Sequence, residues 1–419
     1  MLKDLSKFSI GYINSEKILL YTLSIFPLAF LIGNSVINFF IIIIPIFFFI
    51  LTLKKKIKFN FQNKIFLIML LFWFSLIVNL FFSQNQSLSI PRVIKFFFII
   101  FLVSAFKYIV FLNENKYLNN IYKIWSIIFF VVFIDLIFEF MVGFNILGFK
   151  SYIPGRLASF TGNELVIGNF FSAFCLIFLS YISIKYPKKN NIIIFLSLVL
   201  IFVSFLIGER ANFIRTFLMI GLFFIFVVDY KYKTKLLFIF VIFSLISLLI
   251  TNLKDDNVYK SRYVDSINNL FQKNGISIYL NNSQYGAHYD VAYKIFKENK
   301  LFGVGIKNFR KESFKSKYEN PKHKFKHWRK GSTHPHQIHL EFLSETGLFG
   351  YSIFLIFIIL SIFLSIKSNL KNKNVFQFSG ILFVIFSLLP LIPTGSFFST
   401  YSSGLFWINY SLMVGYIRD

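Results

Sequence analysis

Long apolar runs recur from one end of this chain to the other, and no other feature limits its possible folds as strongly. About twelve of these runs are long enough to cross a bilayer if some tilt is allowed. A soluble domain has no use for 56% hydrophobic and 21% aromatic residues. The sequence therefore predicts an all-α, polytopic membrane protein, with spans near residues 18–33, 36–53, 65–82, 93–112, 121–142, 166–185, 191–208, 211–229, 235–252, 351–366, 375–394 and 401–417.

Lysines alternate between the connections that join these spans. The even-numbered connections are rich in lysine, whereas the odd-numbered short ones carry few cations apart from Arg92, Lys150 and Arg156. Because cytoplasmic loops carry the excess of Lys and Arg, both termini and the even connections are predicted to be cytoplasmic. The lysines concerned are Lys54, Lys55, Lys56, Lys58 and Lys64 in the second connection, Lys116 and Lys123 in the fourth, Lys185, Lys188 and Lys189 in the sixth, Lys231, Lys233 and Lys235 in the eighth, and Lys367, Lys371 and Lys373 in the tenth.

This topology divides the chain into three parts. Residues 1–252 hold nine spans, residues 253–337 form a long outer loop, and residues 338–419 hold a helix at the end of that loop and three more spans. Arg156, Arg210 and His336 then lie on the same outer side as the long loop. A transporter would place its charged residues near the middle of the membrane. The common outer face therefore favours an enzyme over a transporter. The concentrated set of histidines and arginines makes a non-catalytic scaffold the least favoured alternative.

The net charge of +26 lies in short loops and in the one long loop. This distribution favours anionic membrane lipids, or a lipid substrate that carries phosphate, over nucleic acid as the partner. Cys175 is the only cysteine, which excludes an intrachain disulfide and a cysteine metal cluster. The sequence also lacks a P-loop, a His-Glu-x-x-His zinc motif and a Gly-x-Ser-x-Gly elbow. We predict no metal and no other cofactor, with a divalent ion at Asp255 and Asp256 as the alternative to a solvated helix end.

Three of the six histidines, His334, His336 and His339, lie where the long loop returns to an apolar segment. Pro335 can occupy the first turn of a helix, so we predict that His336 lies in that turn. The partial positive charge of a helix N-terminus would keep the imidazole neutral and able to accept a proton as a general base. The alternative is that the histidines merely mark a membrane interface.

Helical spacing separates the residues after His336 into two faces. The first face points toward protein or lipid and consists of His336, Leu340, Leu343 and Gly347. The second face is predicted to point toward water and consists of Gln337, Glu341, Ser344 and Glu345. His339 would lie near the boundary between them.

Arginines in outer segments are candidates for binding an anionic group. Arg210 and Arg215 lie in Gly208–Arg215, and Arg156 lies in the small polar segment 155–164. A guanidinium presents a planar fork of donors that suits phosphate and keeps its charge. The alternative is a structural ion pair of Arg210 or Arg215 with a nearby carboxylate, namely Glu209, Asp135 or Glu139.

The long loop also contains a predicted amphipathic helix and a turn. Apolar residues recur at helical spacing from Tyr285 to Asn299, and Gly303–Gly305 is too short to bind phosphate by itself. The stretch 315–330 is dense in Lys, His and Arg. It is predicted to be a solvated loop, with guidance of an anionic substrate as the alternative.

These stretches together resemble the O-antigen ligase and O-antigen polymerase superfamily. A His-x10-Gly motif runs from His336 to Gly347, and an Arg-x3-Leu motif reads Arg210 to Ile214 here. The segment 299–305, Asn-Lys-Leu-Phe-Gly-Val-Gly, and the Gly-Arg…Gly-Asn segment 155–163 also match. Many members carry an arginine ahead of the loop helix, where this chain has His288. The resemblance spans roughly residues 150–350.

The resemblance implies a GT-C-like fold and a metal-independent, inverting glycan transfer on the periplasmic face of a bacterial inner membrane. The donor would be a glycan on undecaprenyl diphosphate. A ligase passes it to a hydroxyl of lipid A–core, whereas a polymerase, the alternative, passes it to another lipid-linked repeat unit. His336 would be the catalytic base, with His334 and Gly347 supporting its motif. The diphosphate would be bound by Arg210, Arg215, Arg156 and His288.

Overall fold

The structure is a computed structural model that describes residues 15–54, 60, 62–111, 115–231, 233, 235, 240, 244, 257–260, 263, 275–321, 323, 324, 329 and 331–418. These residues contain helices and no strand. The main helices are α1 (Ser15–Ile32), α2 (Asn34–Leu53), α3 (Lys64–Phe82), α4 (Gln86–Phe111), α5 (Asn115–Val142), α6 (Ile167–Lys185), α7 (Asn190–Leu206), α8 (Arg210–Val227), α9 (Gly275–Asn282), α10 (Gln284–Glu298), α11 (Ile338–Asn372), α12 (Val375–Ser387) and α13 (Thr400–Gly415). Short helical turns cover Ser159–Glu164, Val258–Lys260, Phe309–Glu312 and Ser316–Tyr318.

Seven helices in the described part of the chain are long and apolar enough to cross a membrane. The prediction of an all-helical, polytopic membrane protein is therefore confirmed, whereas twelve spans and a GT-C-like arrangement stay predictions. Most of the predicted span 235–252 lies outside the described residues. The span predicted at 375–394 is wrong at its end, because α12 stops at Ser387 and an irregular segment follows. The seven helices are Asn34–Leu53, Lys64–Phe82, Gln86–Phe111, Tyr117–Val142, Ile167–Lys185, Arg210–Val227 and Ile338–Asn372.

Aromatic side chains fill the contact between α3, α11 and α13. The ring of Phe72 stacks on that of Phe357 with centroids 5.2 Å apart, and Phe342 stacks on Phe354 at 3.9 Å. Trp407 of α13 is fully buried and packs edge-on against Phe397 at 5.7 Å. These rings fix the N-terminal end of α11 between α3 and α13, and that end carries the candidate site.

Helix α11 is broken at Gly347, where φ is 63° and ψ is −169°. A crossing segment, residues 300–305, takes up the backbone groups that the break releases. The N–H groups of Leu348 and Phe349 donate to the carbonyls of Lys300 and Leu301 at 2.8 and 3.0 Å. On the other side of the break, Val304 and Gly305 donate to the carbonyls of Ser344 and Glu345 at 3.0 and 2.8 Å. A break in a membrane helix costs little stability when a neighbouring segment forms hydrogen bonds with the freed backbone groups in this way.

Glycines make this crossing possible. A Cβ on Gly347 would lie 2.4 Å from the carbonyl carbon and oxygen of Leu301, and one on Gly303 would lie 2.4 Å from the carbonyl carbon of Glu345. Both residues also have positive φ, which side chains disfavour. The turn predicted at Gly303–Gly305 is present, and its function is to pass closely across the broken helix.

The crossing segment is also fixed to the outer ends of α3 and α4. Asn79 donates to the carbonyl of Phe302 at 2.6 Å, and the ring of Phe302 stacks on Phe82 at 3.7 Å. The side-chain amide of Asn308 donates to Ser83 Oγ at 2.9 Å and to Ser89 Oγ at 3.1 Å. The loop therefore folds onto the membrane helices instead of projecting away from them.

The amphipathic loop helix was predicted correctly and corresponds to α10. Ser283 caps it by accepting a hydrogen bond from the N–H of Gly286 at 3.0 Å. Val291, Ala292 and Ile295 are fully buried against a small core that also contains Val304 and Phe309. The apolar face thus holds α10 against the crossing segment, which brings its other residues to the outer end of α11.

Candidate active site

His336 lies just before α11, and the prediction that it occupies the first turn is wrong. The helix begins at Ile338, and Gln337 is its cap, because the Gln337 side chain accepts a hydrogen bond from the N–H of Leu340 at 2.9 Å. His336 itself has a φ of 58°, in the left-handed region. Pro335 belongs to the same irregular segment. The two-face pattern assumed for the helix therefore does not include His336.

Two other predicted site residues, His334 and His288, nevertheless lie around His336. The imidazole centroid of His334 lies 3.9 Å from that of His336, and the His288 ring stacks on His336 at 5.1 Å. The ring of Tyr285 also packs against His336, with centroids 5.4 Å apart and ring planes tilted by 61°. His288 and Tyr285 both come from α10, so the loop helix completes the cluster that the sequence suggested only in part.

Burial lowers the pKa of all three histidines. It lowers the pKa of His336 to about 4 and that of His288 to about 4, with His336 and His323 acting in the same direction on His288. The pKa of His334 falls to about 2 through burial and then through the nearby charges of His336, Lys307, His288 and Arg310. His336 is therefore neutral at pH 7, as predicted, although the cause is burial and not the helix dipole.

His339 lies apart from the cluster, and both its ring nitrogens have partners. Nε2 lies 2.8 Å from the carbonyl oxygen of Leu388, which requires an N–H on that nitrogen. Nδ1 can then accept from the hydroxyl of Tyr351 at 3.0 Å. These bonds hold the start of α11 against the end of α12, which is a structural role.

The face of α11 predicted to meet water is buried instead. Gln337, Glu341, Ser344 and Glu345 are each at most 4% exposed. Glu345 accepts hydrogen bonds from the N–H groups of Lys307 and Phe309 at 2.8 and 3.4 Å. Backbone donors that are distant in sequence thus compensate for burial of the carboxylate, which helical spacing alone cannot reveal.

Glu341 binds a second segment, the one that leads into α13. Its carboxylate accepts from the N–H of Phe397 at 2.7 Å and from the hydroxyl of Ser396. The ammonium group of Lys307 also donates to Ser396 Oγ, at 2.5 Å. Glu341, Glu345 and Lys307 form a buried polar unit beneath the histidines, and sequence analysis missed all three.

Arg215 is buried within α8 and uses its guanidinium for contacts inside the protein. It donates to Asn212 Oδ1 at 3.3 Å and to the carbonyl of Pro393. The next residue, Thr394, donates its N–H to the carbonyl of His336 at 2.8 Å. Arg215 therefore supports the backbone of His336 through the segment that precedes α13.

A cavity of about 60 Å³ lies beside Arg215, between α6, α8 and the start of α11. Its polar lining includes Asn169, Ser172, Asn212, Arg215 and Thr394. The Nε of Arg215 is buried without a partner among the described residues. The cavity is large enough for a water molecule to bind that group.

Arg156 forms a structural ion pair with Glu209, the carboxylate that was considered as a partner for Arg210 and Arg215. Its guanidinium lies 2.6 Å from Glu209 Oε1 and donates to the carbonyl of Leu165 at 2.6 Å. Glu209 also accepts from the side-chain amide of Asn212, which in turn accepts from Arg215. One polar chain thus links Arg156 to Arg215.

Glu139 and Asp135, the other carboxylates considered as partners of Arg210 or Arg215, accept hydrogen bonds from a nearby loop instead. Glu139 accepts from the N–H groups of Ala158 and Ser159 at 2.9 and 2.6 Å. Asp135 accepts from the hydroxyl of Ser159 at 2.6 Å and from the N–H of Ile146 at 2.8 Å. They shape the loop that carries Arg156.

Arg210 is the first residue of α8, and its side chain is exposed. Its charge acts on Tyr279 of α9, where burial raises the pKa of the phenol and Arg210 opposes that rise. Arg210 thus stands at the edge of the loop helices that carry His288. Its exposed side chain is accessible to a ligand.

The described residues contain no group of three or more His, Cys, Asp or Glu side chains placed to hold a metal ion. Asp255 and Asp256, the alternative metal site, lie outside the described residues. The stretch 315–330 is described only in part, so its predicted role stays a prediction.

Comparison with known proteins identifies one family. Residues 192–355 match the family described as O-antigen ligase, and this range includes Arg210, Arg215, His288 and His336 but not Arg156. No curated protein matches the chain. The resemblance to the O-antigen ligase and polymerase superfamily is thereby confirmed over residues 192–355.

Proposed function

We propose that this chain, with an O-antigen ligase region at residues 192–355, transfers a glycan from undecaprenyl diphosphate to a hydroxyl of lipid A–core. The reaction takes place on the periplasmic face of the bacterial inner membrane and needs no metal. The observation that carries the proposal is a neutral, half-buried His336 inside a cluster of three histidines, in a chain that also exposes Arg210 at the start of α8.

In the proposed reaction the acceptor hydroxyl attacks the anomeric carbon of the donor sugar. The bond between that carbon and the diphosphate oxygen breaks, and the electron pair leaves with undecaprenyl diphosphate. His336 takes the hydroxyl proton as the new glycosidic bond forms. Direct displacement inverts the anomeric centre. No nucleotide is needed, because the donor already contains an activated bond.

A pKa of about 4 makes His336 a weak base in the empty site. A diphosphate bound nearby would raise that pKa, because an adjacent negative charge favours the protonated imidazole. The base would thus become stronger once the donor is bound. Arg210 and His288 would stabilise the charge on the leaving diphosphate, while Arg215 and Arg156 are assigned to holding the site in shape.

Polymerisation of lipid-linked repeat units is the second candidate, because the same residues suit an acceptor that is itself lipid-linked. Deletion of the gene followed by gel analysis of lipopolysaccharide separates the two. A ligase deletion loses all glycan-capped lipid A–core. A polymerase deletion leaves a single repeat unit on the core, and that result would replace the ligase assignment.

The periplasmic location is tested with reporter fusions. A reporter fused near Asn282, at the end of α9, is expected to read periplasmic, and one near Lys188, between α6 and α7, cytoplasmic. The reverse result for either fusion would contradict an active site on the periplasmic face.

A further inference from the structure

A second group of cations lies next to the histidine cluster and comes from other elements than Arg210 and Arg215. Arg92 and Lys95 belong to α4, while Lys307 and Arg310 follow the crossing segment. Lys307 and Arg310 are close enough to His334 to lower its pKa, after the larger effect of burial. The group therefore borders the same reaction centre.

Hydrogen bonds fix these cations relative to one another. Ser89, one turn before Arg92, donates to the carbonyl of Ile306 at 2.7 Å and so attaches the loop to α4. Lys95 Nζ donates to Thr400 Oγ1 at 2.7 Å, and Lys307 Nζ donates to Ser396 Oγ at 2.5 Å. Lys95 thus reaches the first residue of α13, and Lys307 reaches the segment just before it.

Among the described residues, the nearby carboxylates Glu341 and Glu345 form no direct ion pair with this group, although Lys307 is linked to Glu341 through Ser396. Glu345 accepts from backbone N–H groups, and Glu341 accepts from Phe397 and Ser396. The Nε of Arg92 is buried without a partner among the described residues. In the part of the chain that the structure describes, four cations and the N-terminus of α13 thus lie near two carboxylates, Glu341 and Glu345. Such an excess of positive charge in a partly buried place is unfavourable until an anion binds.

We propose that Arg92, Lys95, Lys307 and Arg310 form a second anion site, which binds a phosphate group carried by the acceptor. This inference rests on the proposed function. Because Arg210 and His288 are assigned to the donor diphosphate, the second group serves the other substrate. An acceptor held by its own phosphate would have its hydroxyl positioned beside His336, which lowers the entropic cost of the attack.

Two glycolipids carry this chemistry, namely phosphorylated lipid A–core and a second glycan on undecaprenyl diphosphate. Binding to the purified full chain in phosphatidylcholine nanodiscs distinguishes them. The probes are diphosphoryl lipid A and undecaprenyl diphosphate, and native mass spectrometry counts the copies bound. The test variants are Arg92→Gln and Arg310→Gln, the latter at an exposed position where folding is not at risk. Arg210→Gln reports on the donor site, and Lys188→Gln, at an exposed turn, is the control.

If the acceptor is lipid A–core, Arg92→Gln and Arg310→Gln weaken lipid A binding by at least about tenfold and leave undecaprenyl diphosphate bound. If it is a second lipid-linked glycan, wild type binds two copies of undecaprenyl diphosphate. The test variants then lose one copy, and Arg210→Gln loses the other. Either result supports the acceptor site.

Unchanged binding of both probes in both test variants overturns the acceptor site and leaves the proposed function standing. A wild type that does not bind undecaprenyl diphosphate, but whose lipid A affinity depends on Arg92 and Arg310, supports the anion site. That result would count against the proposed donor instead.

Discussion

The backbone N–H of Thr394 donates a hydrogen bond of 2.8 Å to the carbonyl oxygen of His336. His336 has a φ of 58°, a conformation that costs a non-glycine residue about 1–3 kcal/mol. The bond from Thr394 helps to hold it there, and Arg215 holds the preceding carbonyl, that of Pro393. His336, the proposed base, is thus positioned from α8, far away in sequence.

Arg215→Lys should lower kcat for transfer about 10–100-fold with little change in KM for the donor. Lysine cannot reach Asn212 and Pro393 together, so the support of His336 is lost, and small misplacements of a base are costly. Steady-state kinetics with a purified lipid-linked donor check this. Arg210→Lys is the comparison, with an expected loss of about 10²–10³ in rate from the diphosphate contact. An Arg215→Lys enzyme with raised KM and normal kcat would make Arg215 a donor contact.

His336→Ala should reduce transfer by about 10²–10⁴ while leaving expression and donor binding intact. His339→Ala is the matched control, because His339 bonds to Leu388 and Tyr351 outside the cluster. Product on a gel and donor binding are measured in parallel. Retained activity in His336→Ala together with lost activity in His334→Ala would identify the neighbouring ring as the base.

Acid should destabilise the fold through the buried histidines. The pKa values of His288, His334 and His336 are lowered from 6.5 in the folded protein. The unfolded chain then binds more protons below pH 6.5, so this stability is present above that pH and is lost as the pH falls toward the folded values. The melting temperature should therefore drop between about pH 7.5 and about pH 5.

Replacing a cluster histidine gives the control for the acid effect. His334→Asn should show a smaller drop in melting temperature over the same pH range, because one group that resists protonation is gone. A variant with the same pH dependence as wild type would show that His334 does not contribute to it.

Gly347→Ala should destabilise the protein and reduce transfer. The new Cβ would meet the Leu301 carbonyl at 2.4 Å and push the crossing segment away from the broken helix. Gly162→Ala is the matched control, because Gly162 also has positive φ, 53°, but no atom within 4 Å of its Cβ position. Thermal unfolding in detergent compares them. Equal losses would mean that backbone strain, and not the crossing, explains the effect.

Arg156→Gln and Glu209→Gln should have effects that do not add. The two side chains lie 2.6 Å apart and are 20% and 10% exposed, so either change leaves a partly buried charge without its partner. A double-mutant cycle on the free energy of unfolding should give a coupling of about 0.5–3 kcal/mol. Additive effects would leave Arg156 available for the donor diphosphate.

Sequence reasoning was sufficient where the pattern is local. Apolar runs predicted the membrane helices, and helical spacing predicted α10 with Val291 and Ile295 in its core. Sequence reasoning failed to place the start of α11, because a proline such as Pro335 is compatible both with the first turn of a helix and with the segment before it. It also failed for Glu345, since a polar residue at a polar spacing looks solvated until its donors, Lys307 and Phe309, are seen.

Sequence reasoning also could not bring together the cations of the second group. Arg92 was noticed as an exception to the charge alternation, but nothing local connects it with Lys307. The attachment depends on hydrogen bonds of Ser89 with Ile306 and Asn308, which lie more than 200 residues further along the chain. The histidines of the site, in contrast, could be found because His334, His336 and His339 lie close together in the sequence.

The break at Gly347 divides α11 into an outer part that carries Glu341 and Glu345 and an inner part that crosses the bilayer. A continuous helix would transmit any change of tilt to its end, whereas the outer part here is clamped to residues 300–305. Membranes of different thickness change the tilt of spanning helices. The joint lets the inner part respond while the histidines keep their spacing. We therefore expect the spacing of the histidines to depend little on the lipid composition around the protein.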